Sequence, residues 1–164
     1  MPLTESERRQ LIDRYAEGPE RLRSAIEAVP EEARKWRPAP GKWSAHEIVC
    51  HCADSETVAA MRIRFVLCEA DPLLHAYDQA AWAQALDYHA APLSPSLETV
   101  RAIHAHTAEM LRRLSEEAWA KRGRHSESGP YGAEDWLKIY AEHVHKHSAQ
   151  IDRNLAAWRA ASGS

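Results

Sequence analysis

The chain has 164 residues, about the length of one ordinary domain, and its 45% hydrophobic content suffices for a real core under a 27% charged surface. With 21 Lys and Arg against 24 Asp and Glu the formal net charge is -3, which argues against nucleic acid or an acidic membrane as partner. No apolar run approaches the roughly 18–20 residues of a membrane span, and the polar start MPLTESERRQLIDRY lacks a signal-peptide stretch, so a cytoplasmic location is expected.

Cys50, Cys52 and Cys68 form no CxxC pair and read as free thiols of a reducing compartment. None of the six glycines falls within residues 42–122, strand-like alternation is absent, and Ala, Leu, Arg and Glu dominate. An all-α chain follows.

In chain order, the spacing of Thr4 to Glu7 matches a capping box and opens a first helix with an apolar stripe of Leu11, Tyr15, Leu22, Ile26 and Val29. Gly18-Pro19 in its middle predicts a kink or break. Pro38 and Pro40 then forbid helix in the connector EEARKWRPAPGKW. Ser44 and Glu47 form a second capping box for a long helix to about Ala70, with an inward stripe of Ile48, His51 or Cys52, Ser55, Val58, Arg62 and Phe65.

Asp71-Pro72 ends that helix, and Asp78 caps a short one, QAAWAQALDYHA. Ser94-Pro95 opens another long helix to about Lys121 with Leu97, Val100, His104, Thr107, Leu111 and Leu114 on one face. The stretch RGRHSESGPYGA, with three of the six glycines, reads as a loop. The last helix, roughly Glu134 to Ala160, repeats Tyr140, Val144, His147, Ile151, Asn154 and Trp158 at spacings of four and three. Four long amphipathic helices and one short extra helix make a single four-helix bundle over residues 1–164.

Ten histidines are the compositional oddity. In YAEHVHKHSAQI, His143 and His147 are four apart and share a helix face, while His145 lies near the opposite side. Chance alone supplies roughly 0.6 such pairs in this chain, so spacing by itself is weak. Placement adds weight: His147 sits on the apolar stripe, and a polar ring aimed into a bundle needs a partner or a metal. His51, on the inward face of the second long helix, is the natural third ligand. The competing reading is a core histidine hydrogen-bonded to a carbonyl. Three inward histidines would leave one coordination position open, as catalytic zinc sites do.

Cys50 and Cys52 read as packing residues. His46 lies in the first turn of its helix, His104 and His106 lack a paired carboxylate or second ligand nearby in sequence, and Asp54 and Glu56 read as solvated groups or as groups behind a ligand. Arg62 shares the His51 stripe about 16 Å along the axis, and a buried arginine there should meet a carboxylate or an anionic ligand. No GxSxG, phosphate loop or dinucleotide fingerprint is present.

The segments WRPAPGKWSAHEIVCHCADSE, MRIRFVL, DPLLHAYDQAAWA and GRHSESGPYGAEDWLKIYAEHVHKHSAQI, from about residue 36 to 151, together resemble the DinB-like/YfiT-like superfamily of four-helix-bundle metalloproteins. The resemblance implies a histidine triad at His51, His143 and His147, a divalent ion (zinc or nickel) and commonly a homodimer. It also implies assignment either to metal-dependent hydrolases or to low-molecular-weight thiol S-transferases. Two positions depart from the family pattern: Lys146 stands before His147, and Gln150 stands where many relatives carry histidine.

The expected activity is thus that of a divalent-metal-dependent enzyme on a small molecule, of thiol S-transferase or hydrolase type. Arg62 would hold an anionic group, and Tyr77 and Trp82 would wall the pocket. The alternative is a non-catalytic metal-binding or stress-response bundle protein.

Overall fold

The computed structural model describes residues 2–163. The elements in chain order are α1 (Glu5–Glu27), a 3-10 turn (Glu31–Ala33), α2 (Ala45–Cys68), β1 (Leu73–Leu74), α3 (Gln79–Ala85), α4 (Leu93–Leu111), α5 (Glu116–Trp119), β2 (Arg122–His125), β3 (Gly129–Gly132) and α6 (Ala133–Ser162). None of the described helices is long and apolar enough to cross a membrane.

Both expected capping boxes form: Thr4 accepts from the Glu7 amide and Ser44 from the Glu47 amide, with each glutamate returning to its cap. Asp78 caps α3 through the Ala81 amide. Three expectations need correction. First, α1 runs unbroken through Gly18 and Pro19. The carbonyl that Pro19 cannot serve, Tyr15 O, is instead satisfied from α4. Second, α4 stops at Leu111, because Ser115 accepts from the Ala118 amide and starts a separate one-turn helix. Third, the glycine-rich stretch is a hairpin. β2 pairs antiparallel with β3, and β1 adds to β2 in parallel, with Leu73 opposite Arg124.

The four long helices form the bundle. α1 packs against α4 and α6, α2 packs against the same two, and α1 and α2 stand diagonally. Pairings along the helices give their sense. Arg14 and Arg21 meet Glu142 and Asp152, so α1 and α6 run parallel. Cys50 meets Ser96 as Glu56 meets His104, so α2 and α4 run parallel as well. Asp13 with Arg112, and Ala59 with Trp136, set each of those pairs antiparallel to the other. The order is up, down, down, up, so the chain must run back along the bundle between the parallel α2 and α4, where β1 and α3 lie, whereas α4 and α6 are joined at one end of the bundle through α5 and the β2–β3 hairpin.

Two apolar clusters fill the interior. One gathers Ile12, Ile63, Val66, Leu111, Trp136 and Leu137; the other gathers Leu22, Ile26, Ile48, Val100, Val144 and Ile151. A layer of buried polar groups, His51, Glu56, His104 and Thr107, lies at the level where they meet. The N-terminal half of α2 is buried nearly all round, whereas Phe65, expected inward, lies 43% exposed, and Ile63 and Val66 take the core positions.

Candidate metal centre

Helices α2 and α6, antiparallel neighbours, bring His51 beside His143 and His147. One ring nitrogen from each lies within 4.8 Å of the others. Ring centroids are 4.6 Å apart for His143 and His147 and 4.7 Å for His51 and His147. The i,i+4 step on α6 supplies the pair, and the second capping box fixes where α2 begins and hence where His51 points.

The outer nitrogens of the α6 pair are committed. His143 Nδ1 donates to Glu56 Oε1 at 2.7 Å, and His147 Nδ1 donates to Gln150 Oε1 at 3.0 Å. Each Nε2 is thereby left as a lone pair. His143 Nε2 lies 3.4 Å from Ser55 Oγ. His51 is only 1% exposed, yet neither of its ring nitrogens has a hydrogen-bond partner among the described residues. A buried imidazole with both nitrogens unsatisfied is costly unless something outside the chain binds it. The competing reading, a core His51 hydrogen-bonded to a carbonyl, is therefore not met.

Burial, then the charge of His147 and His143, pushes the His51 pKa down to about 3. Burial and His143 likewise push His147 down to about 4. Both rings are neutral at physiological pH, the form that ligates a metal. Trp43 covers the His51 ring at a centroid distance of 4.6 Å. A set of imidazoles held neutral, oriented from behind and unsatisfied in front has the chemistry of a divalent-ion site. It is the one group of three or more metal-ligating side chains found among the described residues.

Arg62 sits where its helical spacing placed it, on the α2 face toward α6. Its guanidinium donates to the Tyr140 hydroxyl (3.3 Å) and to the His75 carbonyl (2.5 Å), while the buried Nε is without a partner. No carboxylate among the described residues pairs with it, so the structural ion pair is not formed. Tyr140 in turn meets His143 edge-on at 5.5 Å, which connects Arg62 to the triad. The Arg62 charge lies 5.9 Å from the centre of the Tyr77 ring. The Tyr77 hydroxyl is buried and has no hydrogen-bond partner among the described residues. Trp82 is one step further out, tilted against Tyr77 at 4.5 Å.

His145 turns away, its Nε2 donating to the Arg14 carbonyl of α1. Cys50 and Cys52 are buried in packing positions. A cleft of about 440 Å³, lined by Arg37, Lys42, Trp43, Glu47 and His89, has none of the three histidines in its lining.

Of the two readings the sequence leaves for Glu56, the structure gives the group behind a ligand, at His143. Three contributors are not visible in the sequence. Gln150 stands out there only as a departure from the family pattern, yet it does the orienting work on His147. His104 has no visible partner, because its approach to Glu56 joins residues 48 positions apart on two different helices. The Tyr15 carbonyl is a backbone group, and Pro19 was the one signal that could have exposed it.

Comparison with known proteins agrees with this picture. The family model described as the DinB superfamily matches residues 14–151. A "putative metal-dependent hydrolase" of Oceanobacillus iheyensis is 32% identical over 111 residues, which span 68% of this chain and 64% of that protein, just under two thirds of its length. YfiT of Bacillus subtilis, which carries the same functional name, is 26% identical over 91% of this chain and 84% of its own. The solved YfiT structure, described as having an unusual four-helix bundle topology, superposes with a TM-score of 0.87 at 25% identity over 93% of this chain and 87% of that one. A mycothiol-dependent maleylpyruvate isomerase shares the fold at a TM-score of 0.70 and 13% identity, over 91% of this chain and 61% of that one.

Proposed function

The chain belongs to the DinB superfamily, and from that premise we propose that it is a divalent-metal-dependent enzyme for a small molecule, with His51, His143 and His147 as its three ligands. The observation that carries this reading is the buried His51 ring, unsatisfied at both nitrogens and converging with two oriented imidazoles. Zinc or nickel suits a neutral three-imidazole set with an open position. Bound there, the ion would supply Lewis acidity and lower the pKa of a thiol or a water molecule in that position.

The chain's own groups have separate tasks. Glu56 and Gln150 hold the ligand tautomers, and Trp43 keeps bulk water from His51. Arg62, a cation with no carboxylate partner, binds an anionic group of the substrate or of a thiol cofactor, with Tyr77 beside it and Trp82 as outer wall.

Thiol S-transfer is the favoured chemistry. Glu56, the buried carboxylate next to the triad, is fully enclosed, with one oxygen bonded to His143 and the other facing His104, so bulk water does not reach it. A thiol acidified at the ion needs no such base. The hydrolase names of the relatives support the alternative chemistry at the same site, and the thiol-dependent neighbour supports the favoured one.

The test is metal analysis of protein purified without a histidine tag. A screen of the zinc- and nickel-loaded forms against several low-molecular-weight thiols and a general electrophile follows. A chain with no bound metal and no affinity for either ion ends the proposal; turnover with water alone in place of any thiol moves it to hydrolysis.

A further inference from the structure

Glu56 is fully buried at the centre of the bundle, and its two oxygens face two histidines on different helices: His143 Nδ1 at 2.7 Å and His104 Nε2 at 3.1 Å, the second off the line of a good hydrogen bond. His104, 1% exposed, is itself anchored from α1, since its Nδ1 donates to the Tyr15 carbonyl at 2.7 Å. In a helix that carbonyl belongs to the amide four residues on. Here the fourth residue is Pro19, which has no N–H to give.

Gly18 completes the fit. A Cβ there would come 3.2 Å from His104 Cε1 and 3.3 Å from Val144 Cβ, so a larger residue would press the ring or Val144 back by a few tenths of an ångström. The His104 ring also lies flat on Tyr15, with centroids 3.8 Å apart and planes within 10°.

We infer that the Gly18-Pro19 step of α1, together with His104 and Glu56, forms a positioning relay for His143. The carbonyl released by Pro19 fixes His104, the His104 ring backs the Glu56 carboxylate at 3.1 Å and keeps it from swinging away from α6, and Glu56 fixes the Nδ1–H tautomer and the orientation of the His143 ring. The relay passes through all four long helices in turn: α1, α4, α2 and α6. It explains why a proline is tolerated in the middle of a 23-residue helix, and why a histidine and a glutamate are buried with no solvent to share. None of these residues touches substrate; each acts through the next. This inference rests on the metal reading above, because it assigns the relay's output to a ligand.

The decisive variant is Pro19→Ala, which returns an amide to the Tyr15 carbonyl and takes it from His104. Alanine is the better helix former, so the metal-free variant should be as stable as the parent or more so. Zinc affinity, measured by competition with a chromogenic chelator, should nevertheless fall roughly tenfold, within the range seen when groups behind a metal ligand are lost. Ring-nitrogen NMR of the metal-free chain should show His143 as a hydrogen-bonded Nδ1–H tautomer in the parent and as a mixture in Pro19→Ala. Glu56→Gln, which keeps an acceptor for His143, should recover most of the affinity lost in Glu56→Ala.

Unchanged zinc affinity and an unchanged His143 tautomer in Pro19→Ala would overturn the relay while leaving the metal site standing. If the parent binds no zinc, the metal reading fails, and the tautomer measurement alone then decides whether the relay orients His143.

Discussion

Two histidine clusters begin on the same helix, and they have opposite characters. Around His46 and His89 no buried side-chain polar atom is left without a partner among the described residues. His46 Nε2 donates to the Ala91 carbonyl at 2.7 Å. His89 Nε2 lies 3.1 Å from Ser44 Oγ and 3.2 Å from Glu47 Oε2. Glu47 also takes the Ser44 amide and the Arg37 guanidinium, which hold its carboxyl down to about 2 against the opposing effect of burial. Around His51 the order is reversed: the outer nitrogens are answered, the inner ones converge, and both nitrogens of His51 are left over. Both clusters contain a carboxylate and more than one imidazole. What separates a locked joint from a site is the direction in which unsatisfied atoms point.

The contrast is easiest to break at its extremes. His51→Ala should weaken zinc binding by more than roughly 100-fold, beyond what loss of a group behind a ligand costs, whereas His89→Ala should leave it within about twofold. Equal losses from the two variants, measured by chelator competition, would erase the distinction.

Acid should expose the triad next. The folded pKa values of His51 and His147, about 3 and about 4, lie below the ordinary histidine value, so between there and about pH 6.5 the unfolded chain binds more protons than the folded one. Stability of the metal-free protein is therefore full above pH 6.5 and falls as the pH drops through that window, by on the order of 2–4 kcal/mol between pH 7.5 and 5. Urea unfolding at the two values measures it. The double variant His51→Ala/His147→Ala should show a flatter profile; an identical slope would contradict the assignment.

At the locked joint the effect is structural. Glu47→Ala strands the Ser44 amide, Arg37 and His89 together and should cost about 2–3 kcal/mol of unfolding free energy, with zinc affinity unchanged. Arg62→Ala should do the converse: normal zinc content, normal melting temperature and an apparent Michaelis constant for an anionic substrate raised about tenfold. A lower melting temperature with unchanged kinetics would make Arg62 a structural residue. The smallest effect belongs to His145→Ala, which loses one bond to the Arg14 carbonyl on the far side of α6. Its metal content should match the parent's.

Much of the bundle was legible because its signals are local. Thr4 and Ser44 each satisfy their own helix start within three residues, Asp78 does the same for α3, and the four-three spacing of α6 orients its face without reference to any other segment. His143 and His147 were readable for that reason, and His51 followed from the α2 register.

The hairpin was not legible. Arg122–His125 and Gly129–Gly132 carry glycine and proline rather than strand formers. What holds them is pairing with a two-residue strand some 50 positions earlier and the burial of Tyr131 in the core. The start of α4, expected at Ser94-Pro95, lies instead at Leu93 after Pro92. The sequence by itself determined the four long helices, the caps at Thr4, Ser44 and Asp78 and the faces of His51, His143 and His147, since those depend on neighbours within one or two turns. Only the tertiary structure decided which of those faces meet. The up, down, down, up order sets α4 against both α1 and α2, and so gives a proline-released carbonyl, a histidine and a glutamate to one another across three helices. Whether a buried polar atom is satisfied depends on groups far away in the chain, and no local pattern records that.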